Sequence, residues 1–123
     1  MDKIGYDEVR GEEDPAGRFT GTARLSQVDS TWRTDESARL LMVQYEPGAR
    51  TKWHTHEGDQ ILVGTSGEGL VQAKGEKAVP IRAGDIVVCR AGETHWHGAA
   101  PGSAFTHLAV TQGGIDWHGP VED

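Results

Sequence analysis

Short apolar runs punctuated by glycine recur through the middle of this chain, and that rhythm constrains its fold more than any other feature. Ile61 to Gly64 is followed by Gly67 and Gly69, Leu70 to Ala73 by Gly75, Val79 to Ile81 by Gly84, and Ile86 to Cys89 by Gly92. Runs this short, closed by the residue that tolerates positive φ, read as strands joined in hairpins. Upstream, Phe19, Gly21, Ala23 and Leu25 alternate with Thr20, Thr22, Arg24 and Ser26, which predicts a strand from Phe19 to Ser26. Ala38 to Glu46 carries Leu40, Leu41, Val43 and Tyr45 before Pro47 and Gly48 turn the chain, and Ala104 to Thr111 supplies a last long strand. No stretch shows the period of a long amphipathic helix. An all-β chain of about ten short strands is expected to close into a barrel or double-sheet jelly roll, which disposes of free strand edges.

With 123 residues the chain has room for one such barrel and not two. Residues 1–18 crowd Gly11, Glu12, Glu13, Asp14, Pro15 and Gly17 together and are expected to form an N-terminal arm. Residues 19–112 would form the barrel and 113–123 a C-terminal tail. The net charge of −7 supplies no basic face for phosphates, so neither a nucleic acid nor an anionic membrane is an expected partner. Cys89 is the only cysteine, which excludes an internal disulfide and fits a reducing compartment. Met1 to Arg10 lacks the apolar run of a signal peptide, and no segment has the apolar length of a membrane-spanning helix; a cytoplasmic location is the expectation.

The chemistry concentrates in the histidines. His54-Thr55-His56 on a strand directs two imidazoles to the same face. Gln60 follows after Glu57, Gly58 and Asp59, enough chain for a bend that returns the next strand toward the same point. His95 arrives from a later strand, entered through Gly92 and Glu93, and would add a third imidazole from across the barrel. A His-x-His pair alone is weak evidence and reads more readily as two polar strand residues than as two ligands.

The surrounding spacing is more specific. Gly48, five residues, His54-x-His56, three residues, Gln60, six residues and Gly67 resemble the first sequence motif of the cupin superfamily. Gly84, five residues, Arg90-x-Gly92, two residues and His95 resemble most of the second. The resemblance implies a single cupin β-barrel holding one divalent metal ion on His54, His56, Gln60 and His95. Arg90 and Ala99 stand where proline and asparagine are usual, and Gln60 where glutamate is usual. Three neutral imidazoles and a neutral amide leave the charge of the ion uncompensated, so the ion would be a stronger Lewis acid than beside a carboxylate. Nitrogen and oxygen donors suit Mn first, then Fe, Zn or Ni.

A narrower resemblance follows from Phe19-Thr-Gly-Thr22, Glu46 to Thr51, Trp53-His-Thr-His56, His95 to Pro101 and Thr106-His-Leu108. These look like small bacterial cupins that include manganese-dependent hydroxynitrile lyases, relatives of which are called carboxymuconolactone-decarboxylase-associated cupins. In that group glutamine is the expected fourth ligand. The resemblance implies that His107 is a general acid or base beside the metal and that Leu41 and Val43 line the substrate pocket. Period two adds Thr111 to the face that carries His107 and Ala109. Leu41 is larger than the residue usual in the lyases, which predicts a narrower cavity. Small cupins are commonly dimers or tetramers, so a homodimer or homotetramer acting on a small-molecule substrate is expected.

The competing readings are a cupin dioxygenase, in which the ion binds O₂, and a non-catalytic barrel that holds a sugar or other small ligand. Trp32, Trp53, Trp96 and Trp117 are expected chiefly in the core or at subunit contacts, and His97 is set aside as a ligand because four donors are already assigned. Cys89, with no activating neighbour in sequence, reads as a packed thiol, and His118 as a solvated side chain of the tail.

Overall fold

The computed structural model describes residues 1, 3–9, 11–28 and 38–122. Trp32 and most of the polar stretch from Gln27 to Ser37 lie outside the described residues. The strands are β1 (Glu12–Glu13), β2 (Phe19–Thr20), β3 (Ala23–Gln27), β4 (Arg39–Tyr45), β5 (Arg50–Thr51), β6 (His54–His56), β7 (Gln60–Ala73), β8 (Val79–Arg82), β9 (Ile86–Cys89), β10 (Thr94–Ala99), β11 (Phe105–Thr111) and β12 (Ile115–Trp117). The only helical element among the described residues is one 3₁₀ turn, Tyr6–Glu8. All pairings are antiparallel. One wall of the barrel runs β1-β3-β4-β11-β7-β9, and the other is assembled around β10, which pairs with β5, β6 and the far half of β7.

The two walls are joined by β7. Its apolar runs, read from sequence as two strands around a glycine turn, are one continuous strand of 14 residues. The near half pairs with β11 and β9, and the far half with β10 and β8. Gly64, Gly67 and Gly69 therefore bend a strand instead of ending one. Gly67 has φ +75°, and a Cβ there would overlap the carbonyl oxygen of Ala104 on the entry to β11. Both the positive φ and this backbone contact forbid a side chain. Gly67→Ala is expected to lower stability by about 2 kcal/mol or more, measured as a shift in the urea midpoint. An unchanged midpoint would show that the bend has slack.

The first predicted strand is also divided, in the opposite sense: it breaks at Gly21, φ +78°, into β2 and β3. The backbone of Ala49 packs against Gly21, and β2 and β3 then join different walls, on β5 and β4. Within the N-terminal arm, Glu12 and Glu13 pair with Leu25 and Arg24 of β3. Within the tail, β12 pairs with β6.

Alternation along the strands sorts the side chains. Leu41, Val43 and Tyr45 of β4, Leu62 of β7, Cys89 of β9 and Ala109 of β11 pack inside with Ile81 and Phe105. Burying these apolar side chains supplies the main drive for closure, at roughly 1.5–3 kcal/mol for a large aliphatic or aromatic one. The same interior also encloses His54, His56, Gln60, His95, His97, His107 and Thr111, each no more than 4% exposed. A core that sequesters this much polarity needs a compensating partner for it.

Candidate metal and active site

Register alone brings the polar interior together. On β10 and β6, His95 lies directly across from His54. On β11 and β7, Thr111 lies across from Gln60, and on β11 and β4, His107 lies across from Val43. Residues two apart share a face, so His56 follows His54 inward and His97 follows His95. The ring centroids of His54 and His56 are 4.9 Å apart, those of His54 and His95 4.5 Å, and those of His56 and His95 5.3 Å.

Hydrogen bonds at the rim orient the rings. His54 Nδ1 is 2.8 Å from the carbonyl oxygen of Lys52, and His95 Nδ1 is 3.2 Å from that of Glu93. A carbonyl only accepts, so His54 Nδ1 carries the proton and donates, and that neutral ring keeps a bare lone pair on Nε2. His95 has an acceptor oxygen at 3.2 Å from each nitrogen, Glu93 O at Nδ1 and Gln60 Oε1 at Nε2, and its single proton serves one of them. Gln60 is oriented in a similar way: its Nε2 donates to Thr111 Oγ1 at 2.9 Å, which leaves Oε1 turned inward. Gln60 Oε1 and His95 Nε2 stand 3.2 Å apart, and with the His95 proton on Nδ1 both would turn a lone pair toward the same point. Two ligands at right angles around an ion, each at about 2.1 Å, would stand about 3 Å apart. Neither ring nitrogen of the buried His56 has a hydrogen-bond partner. Converging donor atoms and an unpartnered imidazole fit a cation in their midst.

The electrostatics agree. Burial holds the imidazolium form of His54 off, with its pKa lowered to about 3, and that of His56 to about 4; neighbouring His95 adds to both shifts. Burial lowers His95 as well. Neutral imidazoles are the form a metal requires.

His97 is the residue that sequence reasoning undervalued. His54, His95 and His97 have ligand-type nitrogens that all lie within 4.8 Å of one another. The signal was present, since the alternation that pairs His54 with His56 pairs His95 with His97. Behind His97 is a second layer. Tyr45 Oη is 2.8 Å from His97 Nδ1 and 2.9 Å from His107 Nε2, and these two nitrogens are 3.2 Å apart. Burial raises the Tyr45 pKa well above 10, so the group stays a neutral hydroxyl. One hydroxyl proton cannot serve two bare nitrogens, so one ring accepts from Oη while the other donates to it. His97 Nε2 and His107 Nδ1 have no hydrogen-bond partner. Burial drives the His97 pKa well below its ordinary value, with neighbouring His107 next in effect, and burial lowers His107 to about 3.

Of the pocket residues expected from sequence, Leu41, Val43 and Thr111 do line one cavity, together with Gln60, Phe19 and Trp117. It is small, about 60 Å³. His107 is not on that lining; it reaches the cluster through His97 and Tyr45. Trp117, carried in by β12, lies against His54 with ring centroids 4.6 Å apart. Trp96 is 1% exposed and donates from Nε1 to Gln72 Oε1 at 2.7 Å. His118 Nε2 is 2.9 Å from Thr55 Oγ1, so this tail residue is tied to β6. No helix among the described residues is long and apolar enough to cross a membrane.

Comparison with known proteins extends the same picture. A protein of Granulicella tundricola named (R)-mandelonitrile lyase is 43% identical over 115 residues, which cover 89% of this chain and 86% of that one. A cupin-like protein of Thermotoga maritima superposes with a TM-score of 0.88 at 33% identity, over 99% of this chain and 92% of its own. A second Thermotoga maritima structure, described as a predicted oxalate decarboxylase, gives 0.77 at 27% identity, over 95% and 100%. Residues 41–111, the span that contains every inward histidine described above, match the family described as Cupin domain. With that match, the two-walled barrel and its buried histidine cluster, this chain belongs to the cupin family.

Proposed function

We propose that this cupin is a metal-dependent lyase that cleaves and forms small cyanohydrins. The observation that carries the metal is the buried convergence of donors: His56, with neither ring nitrogen partnered, lies beside His54 and His95, whose Nε2 is 3.2 Å from the inward amide oxygen of Gln60. His54, His56, Gln60 and His95 would hold one divalent ion, Mn by preference over Fe, Zn or Ni. Likeness to a protein named (R)-mandelonitrile lyase at 43% identity supports the reaction class.

When bound, the metal supplies Lewis acidity that lowers the pKa of a hydroxyl and stabilises negative charge on oxygen or cyanide. The residues supply the rest. Leu41 and Val43 exclude water and hold the carbon skeleton, and Thr111 keeps the Gln60 amide turned inward. An imidazole of the His97–Tyr45–His107 network takes the cyanohydrin hydroxyl proton. The carbonyl forms as the carbon–carbon bond to cyanide breaks, and cyanide leaves with the electron pair. The same network returns the proton to give hydrogen cyanide. His107, buried behind His97, is the inner member of that relay.

Ligand pockets ordinarily run from roughly 300 Å³ upward, so a cavity of about 60 Å³ favours short aliphatic cyanohydrins over aromatic ones. The test is anaerobic cleavage of acetone cyanohydrin and mandelonitrile by Mn-loaded protein. Turnover without O₂, faster for the aliphatic substrate, is expected. Leu41→Ala should shift the preference toward mandelonitrile on the order of 10-fold. Rates no higher than those of a His54→Ala control would sink the cyanohydrin reading, and turnover that needs O₂ would replace it with a dioxygenase.

A further inference from the structure

His95 borders a second set of donors that the proposed chemistry does not use. The thiol of Cys89, the carboxylate of Glu93 and an imidazole nitrogen of His95 all lie within 4.8 Å of one another. Cys89 and His95 are 3% and 2% exposed. Fold geometry explains the grouping. Cys89 ends β9 directly across from Gln60, and the turn that follows carries Glu93 back to the start of β10 and His95. A cleft of about 190 Å³ reaches all three residues between Val71 and Gln72 of β7 and Val87 of β9. It is distinct from the cavity lined by Leu41 and Val43.

The two donor sets on either side of His95 differ in kind. Inward, the donors are imidazoles and an amide oxygen, all neutral. On the side of the second cleft, they are sulfur, a carboxylate and an imidazole. A divalent ion there would be neutralised by one thiolate and one carboxylate, and sulfur selects ions that bind it strongly.

We propose that Cys89, Glu93 and His95 form a second cation site, selective for thiophilic divalent ions such as Zn²⁺, Co²⁺ or Cd²⁺, that shares His95 with the inner cluster. Binding forms metal–sulfur, metal–oxygen and metal–nitrogen bonds, releases the thiol proton to solvent and takes the one His95 nitrogen that carries no proton, so that the ring has no lone pair left for the inner cluster; water fills the remaining positions. An ion held here draws on the imidazole that the inner site needs, so filling the outer site inhibits whatever the inner ion supports.

The test is titration of the full chain with Co²⁺, followed by sulfur-to-cobalt charge-transfer absorption in the near ultraviolet. A band that saturates at one thiolate per chain is expected, absent in Cys89→Ser and needing on the order of 10-fold more Co²⁺ in Glu93→Gln. In the Mn-loaded protein, Cd²⁺ should suppress turnover, and Cys89→Ser should be spared. Saturable Co²⁺ binding with no charge-transfer band would overturn the site. Equal inhibition of wild type and Cys89→Ser by Cd²⁺ would overturn the shared imidazole. The cobalt spectrum is read without any substrate, so it decides the matter even if cyanohydrin cleavage fails.

Discussion

Replacing His54 with alanine should strip the protein of bound Mn and reduce cyanohydrin cleavage by at least about 100-fold, the upper end of what losing even an outer-shell partner of a metal costs. His54 presents a bare Nε2 because its Nδ1 is committed to the Lys52 carbonyl, and its ring lies between those of His56, His95 and His97. No neighbouring side chain can take over that position, since each of these rings reaches the cluster from its own strand register. Gln60→Glu is the instructive contrast. A carboxylate would accept from Thr111 and still face His95, so metal should be retained, but one unit of the ion's charge would be offset and its acidity reduced. Elemental analysis of the two purified variants beside wild type separates the cases. A His54→Ala protein that keeps stoichiometric Mn would refute the ligand assignment, and a Gln60→Glu enzyme with unaltered rates would refute the electrostatic role of the amide.

Much of this site was legible before any coordinates, because strand alternation is a strict rule of geometry. His54 and His56 had to share a face, as did Leu41 with Val43 and His107 with Thr111, and the structure places each pair on an inward face. Three things were less accessible. Gly67 was read as a turn because glycine with positive φ both ends strands and bends them. The distinction depends on whether partners lie on both sides, and β11 and β10 are far away in sequence. Hydrogen bonds between strands were hidden for the same reason. Tyr45 was visible on the face of Leu41 and Val43, but its bonds to His97 and His107 span 52 and 62 residues. Cys89 looked inert because no sequence neighbour activates it, yet the fold sets its sulfur beside Glu93 and His95.

The buried histidines also predict that the metal-free protein is acid-labile at a pH that ordinary barrels withstand. His54 and His107 have pKa values lowered to about 3 in the fold and His56 to about 4, all from an ordinary 6.5 and all mainly by burial. The unfolded chain therefore binds protons at pH values where the folded chain does not. Stability from this source is complete above about pH 6.5 and is lost as pH falls from 6.5 toward the folded values. The cost per group approaches about 1.4 kcal/mol per pH unit well below 6.5 and is about 1 kcal/mol over the first unit, where the unfolded imidazole is still partly neutral, so these three alone remove roughly 3 kcal/mol between pH 6.5 and 5.5. His95 and His97 are shifted in the same direction and add to the loss. Domains are stable by only about 5–15 kcal/mol in total, so unfolding is expected between about pH 6 and 5. Urea unfolding of metal-free protein at a series of pH values measures the slope directly, and Mn should move the transition to lower pH because protons and metal compete for the same nitrogens. Stability that stays flat from pH 7 to 5 would mean that the interior histidines are solvated or already protonated, and the neutral cluster described above could not stand.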